Sequence, residues 1–251
     1  VKNVKEVEVV VAEPANAMVT HSHWSDYAGQ GLPKNESPQG IPFIRIVQAM
    51  SPSVESGAKP GSIEYGLDSS FYTGNTGVLF VPAVTRHVFV EWRPRAKGGG
   101  FIAHHDPNSE QVKTAIAAST KFGKYALNDH ELVETYYVYG VLIRDELVSE
   151  AAIAFSSTKV KPYKLWMARA KSTTIKVSVR RTIIAPLFSH TYRLTTAKEA
   201  NSFGSYWNWR IAQEAMLSQD SDAFIMALSV RDLFNDGTIL DAHEPDAAVA
   251  I

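Results

Sequence analysis

Residues 159–210 read KVKPYKLWMARAKSTTIKVSVRRTIIAPLFSHTYRLTTAKEANSFGSYWNWR. Two periods run through this stretch. Tyr163, Trp166, Met167 and Ala170 fall at i, i+3, i+4 and i+7, with Lys164 and Lys171 on another side, so residues 162–171 are predicted to form an amphipathic helix with Pro162 tolerated in its first turn. After it the chain is rich in β-branched and aromatic residues. Residues 175–185, 187–195 and 203–211 read as three strands joined by turns at Pro186 and at 200–204. In the last of them Phe203, Ser205, Trp207 and Trp209 share one face, and Tyr206, Asn208 and Arg210 share the other.

Charge gives the same stretch a second meaning. Eleven Lys or Arg residues (Lys159, Lys161, Lys164, Arg169, Lys171, Lys176, Arg180, Arg181, Arg193, Lys198 and Arg210) stand against one acid, Glu199, a local charge of +10. The next segment inverts the sign, with eight acids and one Arg over residues 211–251. A formal net charge of −1 therefore conceals a segregated +10 and −7, with −4 in the first 158 residues. Solvated faces usually mix signs, so this block points to a polyanionic partner. Cations track phosphates, and flat rings among them give bases a platform to stack on.

Outward from this block, the N-terminal side is rich in strands. Residues 1–11 alternate weakly, as an edge strand does, and residues 13–40 are a Pro-, Ala-, Ser- and Gly-rich arm in which Trp24 and Tyr27 need cover. Residues 41–48 read as a strand, and Tyr65, Phe71 and Tyr72 suggest a small hairpin in a glycine-punctuated section. Residues 78–81 and 84–92 are two further strands, between which Pro82 marks a bulge or an edge. Arg93, Arg95 and Lys97 lead into Gly98-Gly99-Gly100, a loop with cations at its base. Residues 108–121 are a helix that Asn108 or Ser109 can cap, and residues 131–143 pair with 151–155 as a hairpin. A last helix spans residues 221–234 with Asp220 as its N-cap. An acidic, Ala-rich tail begins at 237.

Bulk composition excludes several classes. With 45% hydrophobic and 20% charged residues the chain is ordinary globular sequence, and no apolar run reaches the roughly 18 residues of a membrane span. Cysteine is absent, which removes disulfides and thiolate chemistry and suits a reducing cytoplasm. The start, Val1 with no signal-like region after it, reads as that of a trimmed intracellular chain. Phosphate-loop and dinucleotide-loop patterns and the GxSxG elbow are missing. His21 with His23, and His104 with His105, offer imidazoles but no ligand spacing that joins the two groups, so no cofactor or metal is expected and a metal-dependent nuclease is the weakest reading.

Four stretches carry a resemblance: residues 40–48 (GIPFIRIVQ), 90–101 (VEWRPRAKGGGF), 156–171 (SSTKVKPYKLWMARAK) and 192–210 (YRLTTAKEANSFGSYWNWR). Together they are similar to single-stranded DNA-binding proteins of tailed bacteriophages. The resemblance implies an OB-like antiparallel β-barrel and a role in protecting DNA during phage replication or recombination. Many short strands and few helices independently favour a barrel or sandwich with long insertions.

The expectation is thus a mainly β (α+β) protein with two or three short helices, one OB-like domain over residues 1–236 that includes an N-terminal arm, and an acidic tail over 237–251. It is expected to bind single-stranded DNA, not to act as an enzyme. Lys161, Lys164, Lys171, Arg180, Arg181, Arg193 and Arg210 are the phosphate candidates, joined by Arg93, Arg95 and Lys97. Tyr163, Trp166, Tyr206, Trp207 and Trp209 are the stacking candidates, some of them expected in the core. Further expectations are a tail that recruits replication proteins, a homodimer, and residence in the cytoplasm, of the host if the protein is viral. The alternative is a phage structural or assembly protein whose basic and acidic segments pair between subunits.

Overall fold

The computed structural model describes residues 40–120, 123, 125–144 and 147–237. The expected N-terminal strand and arm, the His21/His23 pair and the acidic tail beyond 237 lie outside the described residues.

Two fifteen-residue strands, β4 (Val78–Trp92) and β7 (His130–Arg144), pair antiparallel along almost their whole length and form the spine of a seven-stranded sheet. At one end β8 (Leu147–Ser156) flanks β7, and β11 (His190–Asn201) flanks β4 through Val78, Leu79 and Phe80. Strand β12 (Gly204–Met216) continues outward from β11 as a long hairpin. At the other end β5 (Phe101–His105) flanks β4 and β6 (Tyr125–Leu127) flanks β7. A small separate sheet holds β1 (Ile44–Ile46), β2 (Ile63–Tyr65) and β3 (Ser70–Tyr72), and a two-stranded one holds β9 (Thr174–Ser178) and β10 (Arg181–Ile184).

Pro82 makes the predicted bulge, and the bulge has a structural task. Val81 lies opposite Val141 and Pro82 opposite Gly140, but Val84 lies opposite Tyr139, which leaves Ala83 as the extra residue. One extra residue moves the alternation by one step. Before it, the even positions Val78 and Phe80 share a core with Leu142; after it, the even positions Val88 and Val90 share the opposite core with Tyr139 and Val141. Gly140 is the counterpart of this kink, because a Cβ there would stand 2.0 Å from the carbonyl oxygen of Val81.

Both faces of the spine are therefore covered. Helix α2 (Val160–Ser172) and the small sheet cover one face, where Tyr163 and Trp166 meet Phe80, Val138, Phe155, Tyr192 and Trp209. On the other lies α3 (Asp222–Asn235), which sets Ala223, Ala227 and Val230 at helical spacing against Val81, Tyr139 and Val141. Its N-cap is Ser221, whose hydroxyl accepts from the Phe224 N–H at 3.3 Å. Asp220 instead takes a short hydrogen bond from the Ser218 hydroxyl. Helix α1 (Glu110–Ala118), capped by Ser109, covers Phe89 and Leu132 at the β5/β6 end.

The mainly β class holds, and the closed barrel does not. Residues 41–74 reach across one end of the sheet without sealing it: Phe43 makes a single parallel bridge to Ala152 of β8, and the Gly74 carbonyl accepts the Thr196 N–H of β11 at 2.9 Å. The physical reason is two-sided burial. A small barrel buries the inward face of each strand, whereas β7 is apolar on both sides, with Val138 and Leu142 under α2 and Tyr139 and Val141 under α3. A sheet with that pattern is the middle layer of three.

Candidate nucleic-acid interface

The basic stretch is built on three supports. Helix α2 follows directly from β8, β9 and β10 follow α2, and the β11–β12 hairpin closes the series. On α2 the predicted apolar stripe is the buried one: Tyr163, Trp166 and Ala170 are inside, with Met167 packed against them. Lys161, Lys164, Leu165, Ala168, Arg169 and Lys171 face outward. Lys164 lies 3.9 Å from Glu134 and 5.5 Å above the Tyr136 ring, contacts that leave its ammonium exposed. Among the described residues, Lys161, Arg169 and Lys171 form no ion pair. No acid occurs anywhere between residues 151 and 198.

The expected stacking rings divide sharply. Trp166 is 3% exposed and Trp209 1%, and both belong to the cluster under α2 with Tyr163. A ring so covered has no face to offer a base. Trp207 is half-buried: its indole lies where a Cβ on Gly61 would stand, 2.6 Å away, and its backbone N–H and carbonyl are both held by the Gln48 amide, at 2.9 and 2.8 Å. Gly61 has φ +91°, so a side chain there would be strained as well as crowded. Tyr206 keeps part of its ring exposed, and burial, followed by the neighbouring Glu199 carboxylate, raises its phenol above the ordinary range. Phe203, at the tip of the β11–β12 hairpin, is the most exposed ring of this stretch.

The cations divide too. Arg193 donates to both carboxylate oxygens of Glu214 and to the Thr76 carbonyl, so its guanidinium is occupied across the β11–β12 pair. Arg210 donates to Glu199 at 2.7 Å, and Asn208 donates to the other oxygen of that carboxylate at 3.0 Å. The Asn208 hydrogen bond, then that of Arg210, holds the Glu199 carboxyl below its ordinary value against partial desolvation. Arg93, Arg95 and Lys97 sit on the β4–β5 turn at the far end of the spine, where Lys97 meets Asp129 at 3.0 Å. That turn lies at the β5/β6 end, whereas α2 lies over β7, β8 and β12. Arg180 and Arg181 are at the end of the β9–β10 hairpin and are exposed.

Two features had little signal in the sequence. The β9–β10 hairpin hides inside what reads as one strand, because its turn at Val179-Arg180 holds no Gly, Pro or Asn. The second is a buried carboxylate: Glu91 accepts from His105 Nε2 at 2.7 Å and from His130 Nδ1 at 2.5 Å. Burial pushes the Glu91 carboxyl up, and the two imidazole hydrogen bonds outweigh it and hold the group below its ordinary value. His104, the neighbour of His105, points to the opposite face and meets the Tyr137 hydroxyl at 3.2 Å. Alternation along β5 therefore separates the His104/His105 pair. Among the described residues no group of three or more His, Asp or Glu is placed to hold a metal ion, and no helix is long and apolar enough to cross a membrane.

What the fold and its surface define is a three-layered, mainly β protein with an acid-free basic helix face. Residues 12–240 match the Pam3 phage gp34-like protein family, and the chain belongs to that family and so among phage proteins. No curated protein and no solved structure matches it.

Proposed function

We propose that this protein binds single-stranded DNA without sequence preference, in phage replication or recombination, and that the outward face of α2 is the track for the strand. The observation that carries this is the run of Lys161, Lys164, Arg169 and Lys171 on one exposed helix surface with no acid between residues 151 and 198. Thirteen residues at about 1.5 Å rise give a track about 20 Å long, enough for several successive phosphates. Exposed Leu165 lies among the cations and offers an apolar contact to a base. Tyr206 and Phe203 are the rings left to stack, because Tyr163, Trp166 and Trp209 are committed to the core and the Trp207 indole lies against Gly61. Arg193 and Arg210 drop in rank, since each already holds a carboxylate.

The test is a titration of fluorescent oligo-dT against salt. Counterion release predicts a log–log slope of about −0.7 per phosphate contacted, hence roughly −3 to −4 for five contacts. A flat slope, or duplex bound as tightly as single strand, would sink the reading. Sizing the protein with and without oligonucleotide separates it from a structural or assembly role, for which a large oligomer indifferent to DNA is the expected result.

A further inference from the structure

The sheet of β9 and β10 is an arm. At its base the Ala185 N–H donates to the Thr173 carbonyl at 2.9 Å, which ties it to the end of α2. Beyond that bond the two strands pair only with each other, Thr174 with Ile184, Ile175 with Ile183 and Lys176 with Thr182, before a register shift sets Ser178 opposite Arg181. A lone two-stranded hairpin is marginally stable in water, and this one leaves apolar side chains outside: Val179 is 88% exposed, Ile184 68% and Val177 49%. Lys176, Arg180 and Arg181 stand among them, exposed and without an ion pair among the described residues.

A partner that suits this arm must be anionic and must also present apolar surface beside its charge. A nucleic-acid strand does both, through phosphates and base faces. In sequence the cations of the arm follow those of α2, with Lys171 in the last turn of the helix three residues from the first strand of the arm.

We propose that the β9–β10 arm clasps the same single strand that lies on α2, with Lys176, Arg180 and Arg181 on phosphates and Val179 and Ile184 against bases. This rests on the reading of α2 as the track. It makes the arm the second wall of the site and sets how many nucleotides one molecule occludes.

The experiment uses the full chain, fluorescent oligo-dT as probe and three paired variants. K161Q/K171Q tests the track. R180Q/R181Q is expected to weaken binding and to make the salt slope shallower by about 1.4, twice the single-strand value per phosphate. V179S/I184S is expected to weaken binding about fivefold, the scale of one modest apolar contact, with the slope unchanged. Melting temperatures of the arm variants should match the parent, because the arm adds nothing to the core. If K161Q/K171Q weakens binding and both arm variants bind like the parent, the clasp is overturned and the track stands. If the parent itself fails to bind at low salt, both fall. If the arm variants bind normally but change the particle mass in light scattering, the arm joins copies of this chain, and the clasp is again overturned.

Discussion

The inner side of α2 and the arm that follows it are neighbours in sequence and opposites in physics. Under the helix, Tyr163 stacks on Tyr136 with centroids 4.4 Å apart and Trp166 sits edge-on to Tyr192 at 5.2 Å, in a cluster of buried aromatic and aliphatic side chains. On the arm, Val177, Val179 and Ile184 share an exposed surface with Lys176, Arg180 and Arg181. Composition alone does not separate the two, since both mix Lys, Arg and apolar residues. What separates them is whether the apolar positions fall on one stripe. On α2 they do, apart from Leu165 and Ala168, and the stripe is buried; on β9 and β10 they divide between the two faces of a ribbon with no sheet to lie on.

Four measurements put that contrast to the test. The largest effect should come from W209A, which empties the core under α2 and should cost about 3–5 kcal/mol of stability. Chemical denaturation reads it, and oligonucleotide affinity of the fraction still folded should stay near the parent value. Next is E91Q. An amide can accept from only one of His105 and His130 with its oxygen and turns its N–H₂ toward the other, a loss of about 1–3 kcal/mol. The pH dependence has a definite sign. The folded Glu91 carboxyl lies below its ordinary 4.5, so its stabilisation is complete above that pH and drains as pH falls through the depressed value. Melting curves from pH 6 down to about 3 should show the parent losing more than E91Q does.

K161Q/K171Q is the mirror image of W209A. Stability should hold within about 0.5 kcal/mol while the oligo-dT salt slope becomes shallower by about 1.4. An unchanged slope would remove the helix from the interface. The smallest effect is expected for R193Q. Its guanidinium is half-exposed and already paired with Glu214, so it should cost under about 1 kcal/mol and change affinity less than about threefold. A loss as large as that of K161Q/K171Q would show that Glu214 releases Arg193 to the strand.

Much of the fold was legible because period and burial agree. The stripe of Tyr163, Trp166, Met167 and Ala170 marks the inner side of α2, Pro82 marks the bulge, and residues 131–143 and 151–155 do pair as a hairpin in β7 and β8. The open sheet was less legible. A strand apolar on both faces, such as β7, looks the same whether its second face meets a helix or the inside of a barrel. At the site, the sequence places cations but not their partners. Glu199 and Glu214 are near Arg210 and Arg193 only through the β11–β12 register, in which Thr195 lies opposite Arg210 and Arg193 opposite Ala212. Likewise Glu91, His105 and His130 come from three strands, and no spacing links them.

The bulge at Ala83 has one more consequence, for folding. Strands β4 and β7 must find each other across dozens of intervening residues, and pairings of such range are slow to form and free to slip. Here a slip is penalised at once. Only glycine fits opposite Pro82, and β7 offers just one, Gly140, so any other register drives a side chain into the Val81 carbonyl. Proline, extra alanine and glycine act together as a registration mark that fixes which residues of the spine face α2 and which face α3.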